Sequence, residues 1–397
     1  MNNPNLMART FRGWKLWLAI FLGLSVAGWM LWSSLSEVHF MKVPTNQGTH
    51  IWVDDNNDNQ INLDDVNEFK PVSSGGDFIL KSQGDIFHEI QLNSVGLFWI
   101  FMALIFVVGR DFFYMLRIRL LTKKALSWRQ SFSVIMIWEF ASALAPGVIS
   151  GSAVAMFILN REKIALGKST AIVFITALMD NLFYILLIPL VFLVIDNQQL
   201  FPNESFGSRS VEVLFWTGYF VFLSIVIALV MALFLFPSFF NILFKKIANI
   251  RFLFRWKEGL IKTGNDIEIS SRVLRKESVF FWLKVFLFTC GSWISRFLVI
   301  NALLQAFLRP EWIQHALILG KQLVLWLLMR VSPTPGGSGV AEYAFGELLA
   351  DIGGSALLMS VLALLWRLIS YFPYLFMGAY ILPRWIKRTE LSVNASN

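Results

Sequence analysis

Two stretches, SALAPGVISGSA at 142–153 and SPTPGGSGVAE at 332–342, break apolar regions that would otherwise read as uninterrupted helices. Proline removes a backbone donor and glycine opens positive φ, so each stretch predicts an unwound tip between two helical arms. The regions they break, 131–160 and 316–352, then consist of halves too short to cross a bilayer singly, because about 20 apolar residues are needed for roughly 30 Å of hydrocarbon. Continuous apolar spans near 14–35, 95–120, 169–195, 211–237, 279–307 and 355–382 are each long enough to cross. The expected fold is therefore an all-α integral membrane protein with six full spans and two re-entrant broken-helix hairpins.

Composition points the same way. Of the 397 residues 56% are hydrophobic and 15% charged, with 38 Phe and 16 Trp, against about 25% charged in soluble domains. A net charge of +8 would suggest nucleic acid in a soluble protein, but these basic residues flank apolar spans, where they orient a membrane chain. Nucleic acid is set aside as a partner. Cys290 is the single cysteine, so neither an intramolecular disulfide nor a cysteine metal cluster can form. The run 14–35 has a basic lead (Arg9, Arg12, Lys15) but is too long for a signal peptide and lacks a small-residue cleavage site. It reads as a retained anchor.

Lys and Arg mark cytoplasmic ends. Arg117, Arg119, Lys123, Lys124 and Arg129 precede the first broken region, and Arg161, Lys163 and Lys168 follow it. Both flanks are thus expected in the cytoplasm, and the segment between them must enter and leave on one side. The basic segment 238–278 and the C-terminal Arg384, Lys387 and Arg388 belong there too, which places 308–315 outside and opens the second hairpin outward. Two halves of opposite orientation, with broken helices meeting near the midplane, form a transporter architecture whose binding site lies where the interruptions meet. The expected organisation is a membrane anchor at 1–35, an extracytoplasmic insert at 36–94 and a transmembrane domain at 95–388, with both termini cytoplasmic and the chain in the cytoplasmic (inner) membrane.

The candidate binding residues begin with the tips, Pro146 and Gly147 in the first and Pro335, Gly336, Gly337, Ser338 and Gly339 in the second. A helix restarting after such a tip offers free N–H groups and partial positive charge to phosphate or carboxylate. Alternatively, these glycines merely allow close helix packing. Charges inside apolar spans cost roughly 2.5–3.5 kcal/mol each on insertion scales, so they face the interior, where they pair or bind substrate. Arg296, Arg330 and Arg367 are read as phosphate contacts, with Glu139, Asp180 and Glu342 beside the tips. Neutralisation of Arg330 by Glu342 is the competing reading, and Arg110, Asp111 and Glu347 read as internal ion pairing.

The insert is acidic, with ten Asp or Glu against three Lys. Its DDNNDNQINLDD at 54–65 resembles an EF-hand or dockerin-type calcium loop. Asp54, Asn56, Asp58, the Gln60 carbonyl, Asn62 and Asp65 would supply the oxygens calcium needs, and a solvated acidic turn is the alternative. The four histidines, His39, His50, His88 and His315, have no metal-ligand spacing and receive no role. No P-loop, GxSxG or dinucleotide fingerprint occurs at a strand-to-helix junction, so the chain is not expected to be an enzyme.

FASALAPGVISGSAVAMFILNRE at 140–162 and RVSPTPGGSGVAEYAF at 330–345 are similar to the two signatures of the lysylphosphatidylglycerol synthase transmembrane-region family, also called flippase-like or UPF0104-type. The resemblance covers about 95–385. Family members include the lipid-translocating half of lysylphosphatidylglycerol synthases and stand-alone proteins linked to lipid or polyprenyl-phosphate export. No soluble aminoacyl-transferase domain follows residue 388, so synthase activity is not expected, and the insert is unusual for the family. The resemblance implies a lipid translocase holding an anionic lipid or polyprenyl-phosphate headgroup near the midplane. A secondary transporter of a small anion, or a scaffold recruiting an envelope partner through the insert, remain the alternatives.

Overall fold

In this computed structural model the described residues are 40–42, 47–54, 61, 66–80, 92–144, 150–201, 208–236, 238–249 and 257–394, with Phe21, Ser25, Gly28 and Trp32 as isolated positions. The rest of the 14–35 anchor, the tip residues Pro146 and Gly147, and calcium-loop residues 55–60 and 62–65 lie outside them.

The helices, in chain order, are α1 (Ser94–Leu121), α2 (Trp128–Leu144), α3 (Ser150–Arg161), α4 (Leu166–Phe192), α5 (Ser208–Val230), α6 (Ser238–Ala248), α7 (Lys257–Arg275), α8 (Val279–Phe307), α9 (Trp312–Val331), α10 (Val340–Leu349), α11 (Ala356–Ser370) and α12 (Phe372–Asn394). Their ends follow local chemistry. The Asn93 side chain accepts the Gly96 N–H at 2.8 Å to open α1, and Lys123 and Lys124 in the left-handed region (φ 54° and 61°) close it. Ser278 caps α8 through the Phe281 N–H at 3.2 Å.

Among the described residues six helical segments are long and apolar enough to cross a membrane: Ser94–Leu121, Leu166–Phe192, Val211–Leu235, Val279–Phe307, Trp312–Val331 and Leu357–Thr389. The set differs from the expected one. Trp312–Val331, expected as an arm too short to cross, is 20 residues long, because the Pro/Gly break falls after it rather than at its centre. The last span is two helices, α11 and α12, hinged at Tyr371, next to Pro373, which has no N–H to continue the ladder.

The insert departs from the all-α expectation. Strands β1 (Phe40–Lys42), β2 (Gly48–Trp52), β3 (Phe69–Gly76) and β4 (Phe78–Leu80) form an antiparallel sheet in the order β1-β4-β2-β3. No clean two-residue alternation announces these short strands. An aromatic cluster gives them a core: Phe40 stacks on Phe69 at 4.2 Å and Phe78 meets Phe69 edge-on at 5.0 Å, while Trp52 Nε1 donates to Glu68 at 2.9 Å.

Polar contacts gather one set of helix ends. Gln130, in the first turn of α2, donates to Glu162 beyond the end of α3 at 2.8 Å, and Arg388 and Trp385 of α12 also reach Glu162. Lys123 pairs with Glu277. An added Cβ on Gly167 would lie 2.1 Å from Asp266 of α7, so α4 and α7 also meet there. The α2–α3 pair therefore starts and finishes at one end, together with the basic residues around 117–129, 161–168 and 257–276. The α9–α10 pair returns to the other end, where Lys321 bonds the Leu348 carbonyl at 2.8 Å and Asp351 at 2.6 Å, and Gly354 packs against Leu308. Contacts recur between the halves: α2 on α3 and α9 on α10, α3 on α4 and α10 on α11, with α1 packed along α8.

Candidate functional site: an arginine-lined internal cavity

Between these helices lies a cavity of about 360 Å³ whose lining includes five arginines, Arg110, Arg117, Arg296, Arg330 and Arg367, against two carboxylates, Glu139 and Asp180. The lining thus has an excess of positive charge, and its volume falls at the small end of ligand pockets, about 300–1,000 Å³.

Helix α1 brings Arg110, Tyr114 and Arg117 to one face by i, i+4, i+7 spacing. Arg110 pairs with Glu139 of α2 and lies over the Tyr374 ring at 4.6 Å. Arg117 grips Asp180 with both terminal nitrogens, at 2.6 and 3.3 Å, and bonds Thr289 at 3.0 Å. Trp293 Nε1 also donates to Asp180, at 3.0 Å. On the far wall Arg296 lies over Trp293 at 4.8 Å and 3.9 Å from Glu139, and its buried Nε has no hydrogen-bond partner. Arg330 lies over Trp326 at 3.7 Å and donates to the Asn181 amide oxygen at 2.9 Å. The two tryptophans meet edge-to-face at 4.7 Å. Among the described residues Arg330 has no carboxylate within ion-pair distance; it bonds the neutral Asn181 amide and lies on an aromatic bed, with Asp180, held by Arg117, in the same lining.

The second tip forms one wall. Thr334, Gly336 and Gly337 line the cavity, with φ of +58° and +69° at the two glycines and +89° at Gly339, a backbone that favours glycine. Glu342 is 1% exposed and Arg367 2%. One carboxylate oxygen accepts Arg367 Nε at 2.9 Å and the other the Gly339 N–H at 2.7 Å. Arg367 also donates to the Gly336 carbonyl at 3.2 Å and Ser338 at 3.1 Å. The competing Arg330–Glu342 pairing is not formed, since Arg367 takes the carboxylate, and the N–H of Gly339, the residue capping α10, is occupied by the helix's own glutamate. Tyr371 ties the end of α2 to the second tip: its hydroxyl donates to the Ala143 carbonyl at 3.1 Å and lies 3.5 Å from the Pro335 carbonyl.

Arg296, Arg330, Arg367, Glu139, Asp180, Gly336 and Gly337 therefore line one cavity, with Glu342, Ser338 and Gly339 behind its wall. Asp54 is far along the chain in the insert, and no group of three or more His, Cys, Asp or Glu able to hold a metal occurs among the described residues. The sequence reading missed Arg117, taken only as a cytoplasmic charge, and Asn181, Tyr371 and Tyr374. The available signal was an arginine three or four residues from an aromatic, repeated at Trp293/Arg296, Trp326/Arg330, Arg367/Tyr371 and Arg110/Tyr114, which places ring and guanidinium on one helix face.

Fold and cavity define a multi-pass helical membrane protein with a cationic internal site. The family of the lysylphosphatidylglycerol synthase TM region matches residues 86–378, and the chain belongs to it. A UPF0104 membrane protein of Archaeoglobus fulgidus is 25% identical over 299 residues, covering 71% of this chain and 85% of the relative. No solved structure matches the chain.

Proposed function

We propose that this protein is a lipid translocase of the inner membrane that holds an anionic lipid or polyprenyl-phosphate headgroup in the arginine-lined cavity. One observation carries the reading: Arg330, bedded on Trp326, lies in an internal cavity with no carboxylate in ion-pair contact among the described residues, at a cost that a bound anion would offset. Arg296, sharing Glu139 at long range, is the second contact. Arg367 and Glu342 serve as scaffold for the tip. Losing one charge-assisted hydrogen bond of about 1.5–3 kcal/mol would slow transport about 10- to 100-fold. In vesicles reconstituted with fluorescent phosphatidylglycerol, Arg330→Ala and Arg296→Ala are expected to slow headgroup translocation by that amount while keeping the parent melting temperature. Parent-like rates in both variants would remove the cavity as the site.

The α2–α3 and α9–α10 pairs, returning to opposite ends, support two re-entrant hairpins in an inverted repeat, and the basic clusters support a cytoplasmic location for the α2–α3 end. With Cys290 replaced, single cysteines at Ala125 and Ala165 are expected to react with impermeant maleimide from the same, cytoplasmic, side. Labelling from opposite sides would make the first pair a full crossing.

A further inference from the structure

At the end of the molecule opposite the basic segments, four polar side chains form an unbroken chain into the cavity. His315, in the first turn of α9, contacts Gln305 Oε1 through Nε2 at 3.0 Å and Asn301 Nδ2 through Nδ1 at 3.1 Å. Asn301 Nδ2 also donates to the His315 carbonyl at 3.2 Å, and Asn301 Oδ1 accepts from Gln322 Nε2 at 2.7 Å. Gln322 lines the arginine cavity. Asn301 and Gln322 are 8% and 3% exposed, so water does not substitute freely for these bonds.

A single backbone atom orients the whole chain. The His315 carbonyl can only accept, so the Asn301 amide nitrogen must face it. That nitrogen then also faces Nδ1, which must be an unprotonated acceptor, leaving the imidazole proton on Nε2 to donate to Gln305. Asn301 Oδ1 is thereby turned to Gln322, which must offer its NH2. The imidazole is neutral in this arrangement. A proton added at Nδ1 sets donor against donor at 3.1 Å, and turning the Asn301 amide over relieves that clash by giving up the bond to the His315 carbonyl, which Oδ1 then faces. The turned Asn301 presents NH2 to Gln322, which must turn in its place and direct its own NH2, instead of its carbonyl oxygen, into the cavity.

No charge competes for this role. Helix α8 faces the ring with the neutral Asn301 and Gln305, and Trp312 of α9 lies 6.1 Å away. On α9 itself Glu311 caps the helix, and Lys321 is held by Asp351. The turn at Asn197–Leu200, packed on α9, has Asp196 at its N-cap, accepting from the Gln198 N–H. Among the described residues α4, α5 and α10 bring no charged group into ion-pair or hydrogen-bond contact with the ring.

We propose that His315 is a proton-binding site coupled to the headgroup cavity through Asn301 and Gln322, so that proton and anion bind favourably together. The inference rests on the proposed headgroup site and on the orientation that puts 308–315 outside; the coupled ion is then a proton entering from the extracytoplasmic face. Reciprocity requires that protonation of His315 tighten anion binding by the same factor by which the anion favours protonation.

The test is calorimetry of the full chain in detergent with dihexanoyl phosphatidylglycerol, whose phosphodiester does not titrate between pH 5.5 and 7.5, and with glycerol 1-phosphate as the free-headgroup arm. Allosteric couplings are commonly 5-fold or more, so affinity for the lipid is expected to rise about 5-fold from pH 7.5 to 5.5. Paired buffers of different ionisation enthalpy should show proton uptake on binding at pH 7. Both effects should vanish in His315→Gln, and in Asn301→Leu with His315 intact. Binding that is independent of pH in the parent protein, or equally pH-dependent in His315→Gln, overturns the coupling while leaving the headgroup site standing. No binding of either ligand at any pH overturns the headgroup site, and the coupling with it. A pH effect seen with glycerol phosphate alone overturns the coupling for the lipid, because that phosphomonoester itself titrates in this range.

Discussion

Replacing Arg367 with alanine should lower unfolding stability by about 3–5 kcal/mol, the range for breaking a buried ion pair from one side. The cause is what remains. Glu342, 1% exposed, would keep its bond from Gly339 but lose the counter-charge it pairs with, and Gly336 and Ser338 would lose the guanidinium that ties the tip to α11. Tyr371, on whose ring Arg367 lies at 3.8 Å, would lose its packing partner. Removing both charges is expected to be much milder: Arg367→Met with Glu342→Gln fills similar volume and strands no charge, so most of the stability should return. Thermal melting in detergent reads both effects. A double variant as unstable as the single would mean that the pair contributes through packing alone. Translocation separates this role from that of Arg330, because the double variant should retain measurable activity whereas Arg330→Ala loses activity with its fold intact.

The membrane class and most span positions are legible in the sequence because a helix in lipid needs a long apolar run, and such runs are visible without neighbours. The breaks are legible for a related reason: PTPGGSG cannot continue a helix. What the sequence does not reveal is pairing. Arg330 lies twelve residues before Glu342 and looks like its partner, but the two sit on different helices on either side of the tip, and Arg367 from α11 reaches the carboxylate instead. Arg117 sits among lysines and arginines that mark a membrane end, and only its helical phase with Arg110 and Tyr114 distinguishes it. The insert strands are hidden because three to eight residues containing Pro71, Gly75 and Gly76 have weak strand preference; Phe40, Phe69 and Phe78 hold them together from separate strands. Likewise His315 has no metal-ligand spacing, and its partners Asn301 and Gln305 meet it only once α8 packs against α9.

Gly336→Ala should be the most damaging conservative change in the second tip. Two costs coincide there. At φ +58° an L residue is in the left-handed region, at about 1–2 kcal/mol, and the new Cβ would lie 2.3 Å from the Tyr371 ring. That ring cannot simply move aside: its hydroxyl bonds the Ala143 carbonyl, and Arg367 lies on its face. Displacing it would free the second tip from the end of α2 and loosen the cavity wall, so both melting temperature and translocation should fall. Two other glycines divide the costs. Gly353 has φ +118° but open space around its would-be Cβ, and Gly337, at φ +69°, would meet Met329 Cβ at 3.2 Å, a tight contact but a milder one than at Gly336. Each should lose less than Gly336→Ala, and Gly353→Ala should leave translocation near the parent rate. The decisive comparison is a double-mutant cycle with Tyr371→Ala. If the clash is the larger cost, Gly336→Ala should add little to Tyr371→Ala, and the double variant should be more stable than the sum of the singles requires. Strict additivity would assign the whole loss to backbone strain.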